Sequence, residues 1–291
     1  MKQLEGLVAI VTGGGHGLGA AVAEHYVAAG ASVVICGRNL ASLDASKAKL
    51  QGGLAAGQRI EVMAADVAVP TQVDALVAGT LERHGRIDVL VNNAGIYGPM
   101  GRIDEIDWKD WVDAISINLM GTVYPSRAVL PHFIARGRGK IINISGGGAT
   151  NPLPGISAYA AAKAAVVRFT ETMALEVKGS GIDINAIAPG LLATRMTDQL
   201  LAAGPDKVGQ AFYERISNTI KGGGTPLAVP AKLCVWLASA ESDGVTGKLI
   251  AAVWDPYESF PQHLTELNGT DIYTLRRVVP KDRGMGWGND P

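Results

Sequence analysis

Short, almost uninterrupted apolar runs recur along this chain, and each is followed by a stretch of helical length. Residues 7–12 (LVAIVT), 32–36 (SVVIC), 60–65, 87–91 (IDVLV), 140–144 (KIINI) and 182–187 read as strands, with a seventh over 249–253. Between them the pattern predicts helices over 17–29, 41–50, 70–84, 107–135 and 157–178. A strand that is apolar on both faces must be covered on both faces, and a helical crossover brings the next strand back parallel. Right-handed crossovers leave few topologies for such a chain. The expected fold is one α/β domain over residues 1–254: a doubly wound, central parallel sheet of about seven strands with helices on both faces.

Residues 255–291 differ in character. Pro256, Pro261 and Pro280 interrupt them, and Tyr257, Phe260, Tyr273 and Trp287 are scattered through them. An irregular tail with one short helix near 262–267 is expected, packed on its own or a neighbouring subunit. Ordering it costs about 1–2 kcal/mol per residue, and burying each aromatic returns about 1.5–3 kcal/mol. Those magnitudes nearly cancel, so the tail needs a large surface. The expectation is that it docks across a neighbouring subunit.

Composition narrows the function classes. The net charge is −1 over 291 residues, which gives no footprint for nucleic acid or an anionic membrane. Apolar residues make up 47%, enough for a sizeable core. A charged fraction of only 18% favours a homodimer or homotetramer that hides part of its surface. Cys36 and Cys234 are the only cysteines, and the five histidines His16, His25, His84, His132 and His263 are scattered, so no metal site is expected. The opening MKQLEG runs directly into an apolar strand without a signal peptide, so a cytoplasmic protein is expected.

The chemistry begins at Thr12-Gly13-Gly14-Gly15-His16-Gly17-Leu18-Gly19, between the first strand and the first helix. Glycines there permit a tight turn and let backbone N–H groups approach a pyrophosphate at a helix N-terminus. The alternative for an isolated loop of this kind is a structural turn. In this place it points to a dinucleotide and a Rossmann-type domain. The spacing is T-G-x-x-x-G-x-G rather than G-x-G-x-x-G.

Further along come Asp66-Val67, Asn92-Asn93-Ala94-Gly95, Asn118, Tyr159-x-x-x-Lys163, and Pro189-Gly190 with Thr194. In this order and spacing the chain resembles the classical short-chain dehydrogenases/reductases, over about residues 5–253. The resemblance implies an NAD(P)-dependent oxidoreductase that moves a hydride between nicotinamide C4 and a small-molecule secondary alcohol or ketone. It implies cofactor contacts from Gly13, Gly15, His16, Gly17, Leu18 and Gly19, and from Asp66 at the adenine with Val67 beside it. It further implies contacts from Asn92, Ala94 and Gly95 near a ribose, from Tyr159 and Lys163, and from Pro189, Gly190 and Thr194 at the carboxamide. On the residues alone, the alternative for Asp66 is a helix cap, and Asn92 can also cross-link strands, a role compatible with the first.

Tyr159 and Lys163 lie four apart, on one helical face. An ammonium near a phenol favours the phenolate and is expected to lower the Tyr159 pKa, giving an acid/base for an alcohol or carbonyl. In isolation the pair would be a surface Tyr and a solvated Lys. The family uses an Asn at the position of Asn118 to hold a water in the proton relay.

The chain departs from the family thirteen positions before the tyrosine, where the catalytic Ser is replaced by Gly146. Ser145 comes one place early, and neighbouring strand residues point to opposite faces. Ser145 is a catalytic candidate only if the glycine-rich turn re-aims it. A backbone N–H of Gly147 or Gly148, the Thr150 hydroxyl, or a hydroxyl on the substrate are the substitutes considered. The second strand ends Cys36-Gly37-Arg38 without an acid for a ribose 2′-OH. Arg38, with His16, suits a 2′-phosphate, so NADP is expected over NAD. Stacking of Arg38 on the adenine, which either cofactor allows, is the alternative. Residues 197–224, with Gly204-Pro205 and Gly222, Gly223 and Gly224 as hinges, are the expected substrate lid. Two other classes fit the motifs in part: a dinucleotide-binding sensor or scaffold without turnover, and a cofactor-dependent epimerase or dehydratase.

Overall fold

The computed structural model describes residues 2–287. Its strands are β1 (Val8–Thr12), β2 (Ser32–Gly37), β3 (Ile60–Ala64), β4 (Val89–Asn92), β5 (Gly139–Ile144), β6 (Ile182–Ala188) and β7 (Leu249–Ala251). They form one sheet in the order β3-β2-β1-β4-β5-β6-β7, and every neighbouring pair is parallel. The crossovers are made by α1 (Gly17–Ala28), α2 (Leu40–Gln51), α3 (Pro70–His84), α4 (Trp108–Ile115), α5 (Gly121–Arg136) and α6 (Ser157–Glu176). After β6 come α7 (Arg195–Ala203), α8 (Pro205–Val208), α9 (Gln210–Lys221) and α10 (Ala228–Ala238). Among the described residues no helix is long and apolar enough to cross a membrane.

The apolar strands serve both faces, as such runs require. Along β1, Ala9 and Val11 pack with α1 and α10 residues such as Tyr26 and Leu233. Between them Ile10 packs the other way, with Leu76 of α3 and Phe133 of α5. The order in which strands are added reverses between β1 and β4, so the loops after these two strands diverge and leave a crevice at their carboxyl ends.

One expectation is corrected. The helix expected over 107–135 is not continuous. It breaks into α4, a π-helical turn at Ser116–Met120, and α5, and the Gly121 N–H donates to the Ser116 carbonyl five residues back. An inserted π turn rotates the side chains that follow, and such turns recur at functional sites. Here it carries Asn118.

Over 256–275 the tail packs on its own subunit. A 3₁₀ turn, Tyr257–His263, leads into α11 (Leu264–Gly269), and Phe260 and Leu267 are buried in the main core. The Phe260 ring meets Trp236 and Tyr273 with centroids 6.4 and 4.9 Å away. The Leu249 N–H donates to the Tyr273 carbonyl at 2.8 Å, so the chain continues the sheet edge beyond β7. Lys248 Nζ donates to the Ile272 carbonyl at 3.0 Å, and Glu171 Oε1 accepts from the Leu275 N–H at 2.6 Å. The large surface that repays ordering is the subunit's own helix α10 and sheet edge. Trp287 lies outside this packing and is exposed.

Candidate active site

The crevice is floored by the turn after β1. His16 precedes α1 with an extended backbone and supplies no side-chain cap, and the first turn of α1 holds no acidic residue. The orphan N–H groups of that turn are therefore free for an anion. Gly13, at φ +68°, is tied through its N–H to the Cys36 carbonyl at 2.8 Å. A Cβ there would sit 2.9 Å from Asn93 Nδ2, and one at Gly15 would sit 2.6 Å from Ser42 Oγ. The cradle is thus shaped by absent side chains, which fits an extended phosphate-bearing group. Gly19 does not reach the cavity. It lets α1 pack on the turn, since a Cβ would lie 2.3 Å from the Gly13 carbonyl oxygen.

Most of the residues singled out from sequence converge on this one cavity: Gly13, Gly15, His16, Gly17 and Leu18 with Arg38, Asp66 and Val67 along one side, and Ala94, Gly95, Ser145, Tyr159, Lys163, Pro189, Gly190 and Thr194 along the other. Asp66 does not cap α3. Its Oδ1 accepts from the Ala68 N–H at 2.9 Å and holds the turn, and its other oxygen lies 4.0 Å from Arg38 Nη1. Asn92 is a correction. Its amide donates to Ser126 Oγ and Asn143 Oδ1, both at 2.9 Å, so it cross-links β4, β5 and α5 beneath the cavity rather than lining it.

Tyr159 and Lys163 stand one turn apart on α6. The Lys163 ammonium is buried, donates to the Ile144 carbonyl at 2.7 Å, and lies 5.6 Å from the Tyr159 ring centroid. Asn118 is fully buried. Its amide donates to the Ile96 and Ala114 carbonyls, both at 2.8 Å, and its Oδ1 accepts from the Ile96 N–H. A Cβ on Gly95 would lie 2.7 Å from Asn118 Oδ1 and 3.6 Å from Lys163 Nζ. Bare backbone at Gly95 therefore lets the π turn and α6 bring these two polar groups to one spot.

The expected drop in the Tyr159 pKa is reversed. Burial pushes the phenol above its ordinary value, with Tyr97 adding to the effect. Burial also lowers Lys163 to about 8. Enclosure by protein penalises phenolate and ammonium alike, and at this separation that cost outweighs their attraction.

Ser145 is not re-aimed. It is buried and its hydroxyl donates to the Lys163 carbonyl at 3.2 Å, tying β5 to α6. Gly146 is extended, at φ 171°, and a Cβ there would lie 2.6 Å from the Tyr159 hydroxyl oxygen. The phenol occupies the space a side chain at 146 would need. Gly146→Ser is therefore expected to displace the phenol and lower kcat, by about 10²-fold for a shift near 1 Å. Steady-state rates of Gly146→Ser beside Gly146→Ala test this. A gain in rate for the serine variant would mean that the site merely lacks a hydroxyl.

The sequence reading missed Tyr97, Ser42 and Arg195, which also line the cavity. Arg195 follows Thr194 in the first turn of α7, and Tyr97 follows the Asn92–Gly95 segment by two residues. Position at a strand's carboxyl end was the available signal.

Comparison with known proteins agrees with this geometry. The short chain dehydrogenase family profile matches residues 7–204, and the chain belongs to that family. It is an oxidoreductase acting on a CH–OH or carbonyl group. The chain is 38% identical to the short-chain reductase protein NovJ of Streptomyces niveus over 244 residues, 84% of this chain and 91% of the relative. An actinorhodin polyketide ketoreductase solved with NADPH superposes with a TM-score of 0.77 at 29% identity, covering 86% of this chain and 97% of its own. An NAD+-bound xylitol dehydrogenase shares the fold, with a TM-score of 0.79 at 24% identity, over 86% and 98% of the two chains.

Proposed function

We propose that the protein is an NADP-preferring dehydrogenase/reductase that interconverts an uncharged secondary alcohol and its ketone through a Tyr159–Lys163–Asn118 relay, with Gly146 in place of a catalytic serine. The observation that carries the reading is the presence of Tyr159 and Lys163 in the same cavity as the glycine cradle after β1. The bound nicotinamide would supply or accept the hydride. The chain's own residues do the rest. The open first turn of α1 holds a pyrophosphate, while Thr194 and the Pro189-Gly190 turn hold the carboxamide. Tyr159 gives its proton to the carbonyl oxygen during reduction and takes it from the alcohol during oxidation. Lys163 holds a ribose and returns the proton toward Asn118.

The substrate end supports an uncharged, largely apolar molecule. Residues 197–224 act as a lid whose Leu200, Val208 and Ile216 pack with Ile156, Leu153 and Tyr159. Gly204, Gly209, Gly223 and Gly224, all at positive φ, support hinges in that segment. Exposed Val112, Ile134 and Leu175 on α4, α5 and α6 support a homodimer or homotetramer. The unpaired buried thiols Cys36 and Cys234 fit a cytoplasmic protein.

Cofactor preference rests on the end of β2. Gly37, Arg38 and Ser42 line the cavity there, and Asp66 neutralises Arg38 only across 4.0 Å. Calorimetric titration of both oxidised cofactors is expected to give tighter binding of NADP. Gly37→Asp with Arg38→Leu should reverse the order, because a carboxylate repels a 2′-phosphate and accepts a ribose hydroxyl. Equal or tighter binding of NAD by the wild type would overturn the preference. A spectrophotometric screen of ketones with NADPH then tests the reaction itself.

A further inference from the structure

The missing serine leaves a gap in the chemistry. A proton donor at Tyr159 normally works beside a second hydrogen-bond donor that holds the substrate oxygen in place. Position 146 has no side chain, and Ser145 is spent on the Lys163 carbonyl. The backbone substitutes do not serve. Gly147 and Thr150 are exposed, the Thr150 hydroxyl accepts from Asn151 Nδ2 at 3.1 Å, and none of Gly147, Gly148 or Thr150 lines the cavity.

Other hydroxyls line it: Ser42 and Thr197 donate to the Asn39 and Leu192 carbonyls, Thr194 lies beside the Pro189-Gly190 turn, and Tyr97 packs against Tyr159 itself. Tyr97 leaves the loop after β4 and meets the Tyr159 ring edge to face, centroids 4.8 Å apart and planes at 61°. Its ring is packed into the lid cluster with Ile156, Leu200 and Val208, which fixes its orientation. Among the described residues its hydroxyl makes no hydrogen bond. A half-buried phenol at a cavity wall without a partner in the protein is open to water or to a ligand that enters the cavity. Burial also raises its pKa, which keeps it in the donating, neutral form.

We infer that Tyr97 is the second hydroxyl of the active site: its O–H donates to the substrate oxygen that Tyr159 protonates, in the role left empty at Gly146. Tyr97 transfers no proton and forms no bond. It holds the oxygen while charge grows on it, and the proton that neutralises that charge comes from Tyr159. The inference rests on the Tyr159 relay proposed above. It adds a requirement on the substrate: its oxygen must reach the seam between the two rings, so a flat ketone able to slide between Tyr159 and the apolar lid fits best.

The test compares wild type, Tyr97→Phe and Tyr159→Phe in the reduction of cyclohexanone, acetophenone and 4-phenyl-2-butanone by NADPH, with NADPH affinity measured by fluorescence. Phe keeps the ring packing on Ile156 and Leu200, so the variant should fold and bind NADPH as the wild type does. Loss of the donor should lower kcat about 10²–10³-fold on whichever ketones the wild type reduces, with little change in KM. If Tyr159→Phe is inactive while Tyr97→Phe keeps its kcat, the second hydroxyl is not Tyr97. A rise in KM at unchanged kcat would make Tyr97 a binding contact only and equally overturn the role. Retained activity in Tyr159→Phe would instead remove the relay itself, whatever Tyr97 does.

Discussion

Tyr159→Phe is expected to lower kcat by about 10²–10⁴-fold, the usual worth of a positioned proton donor, and to leave the fold intact. The ring stays. It still packs against Tyr97 and beneath Lys163, and among the described residues no hydrogen bond of the protein is lost with the hydroxyl. Burial holds the phenol protonated in the unloaded site, so the wild type is poised to give a proton rather than to take one. Removing the oxygen should therefore abolish ketone reduction at every accessible pH instead of shifting its pH profile. Steady-state kinetics with thermal unfolding as a control decide it. A variant that keeps wild-type kcat on its best substrate would mean that the proton comes from elsewhere.

The second large effect concerns stability. Phe260→Ala should cost about 3–5 kcal/mol, the range for emptying a buried aromatic site. That is a large share of the roughly 5–15 kcal/mol that holds an ordinary domain together. Phe260 is 3% exposed and sits between Trp236 and Tyr273. Its loss should loosen the 3₁₀ turn at Tyr257–His263 and uncover Trp236. Truncation after Trp254 should be worse, since it removes Leu267 and the Tyr273 carbonyl that accepts from Leu249 as well. Thermal melts of both variants test this. Unchanged melting together with loss of oligomer mass in light scattering would return the tail to a neighbouring subunit.

The tail is instructive because its aromatics were visible and their destination was not. Apolar content says that a segment must be covered, and ordering entropy says that the cover must be large, but neither chooses between two large surfaces. On its own subunit the tail is held by Lys248 and Glu171, whose bonds to Ile272 and Leu275 have no local signature. The π turn at Ser116–Met120 is a similar case. The apolar pattern over 107–135 is helical throughout, and a single inserted residue in the hydrogen-bond register leaves hardly a trace in it.

Periodicity and glycine placement, both properties of neighbouring residues, were enough by themselves to determine the parallel sheet, its helical crossovers, the cradle after β1 and the pairing of Tyr159 with Lys163 on one helical face. Side-chain destinations depend on residues distant in sequence, and the tertiary structure alone decided them. It sent Asn92 beneath the cavity and Ser145 to the Lys163 carbonyl, set Tyr97 against Tyr159, and filled the space at Gly146 with a phenol. It also reversed the sign expected at Tyr159, because a pKa follows the balance of burial against charge at the actual separation, and spacing along a helix fixes only which groups are neighbours.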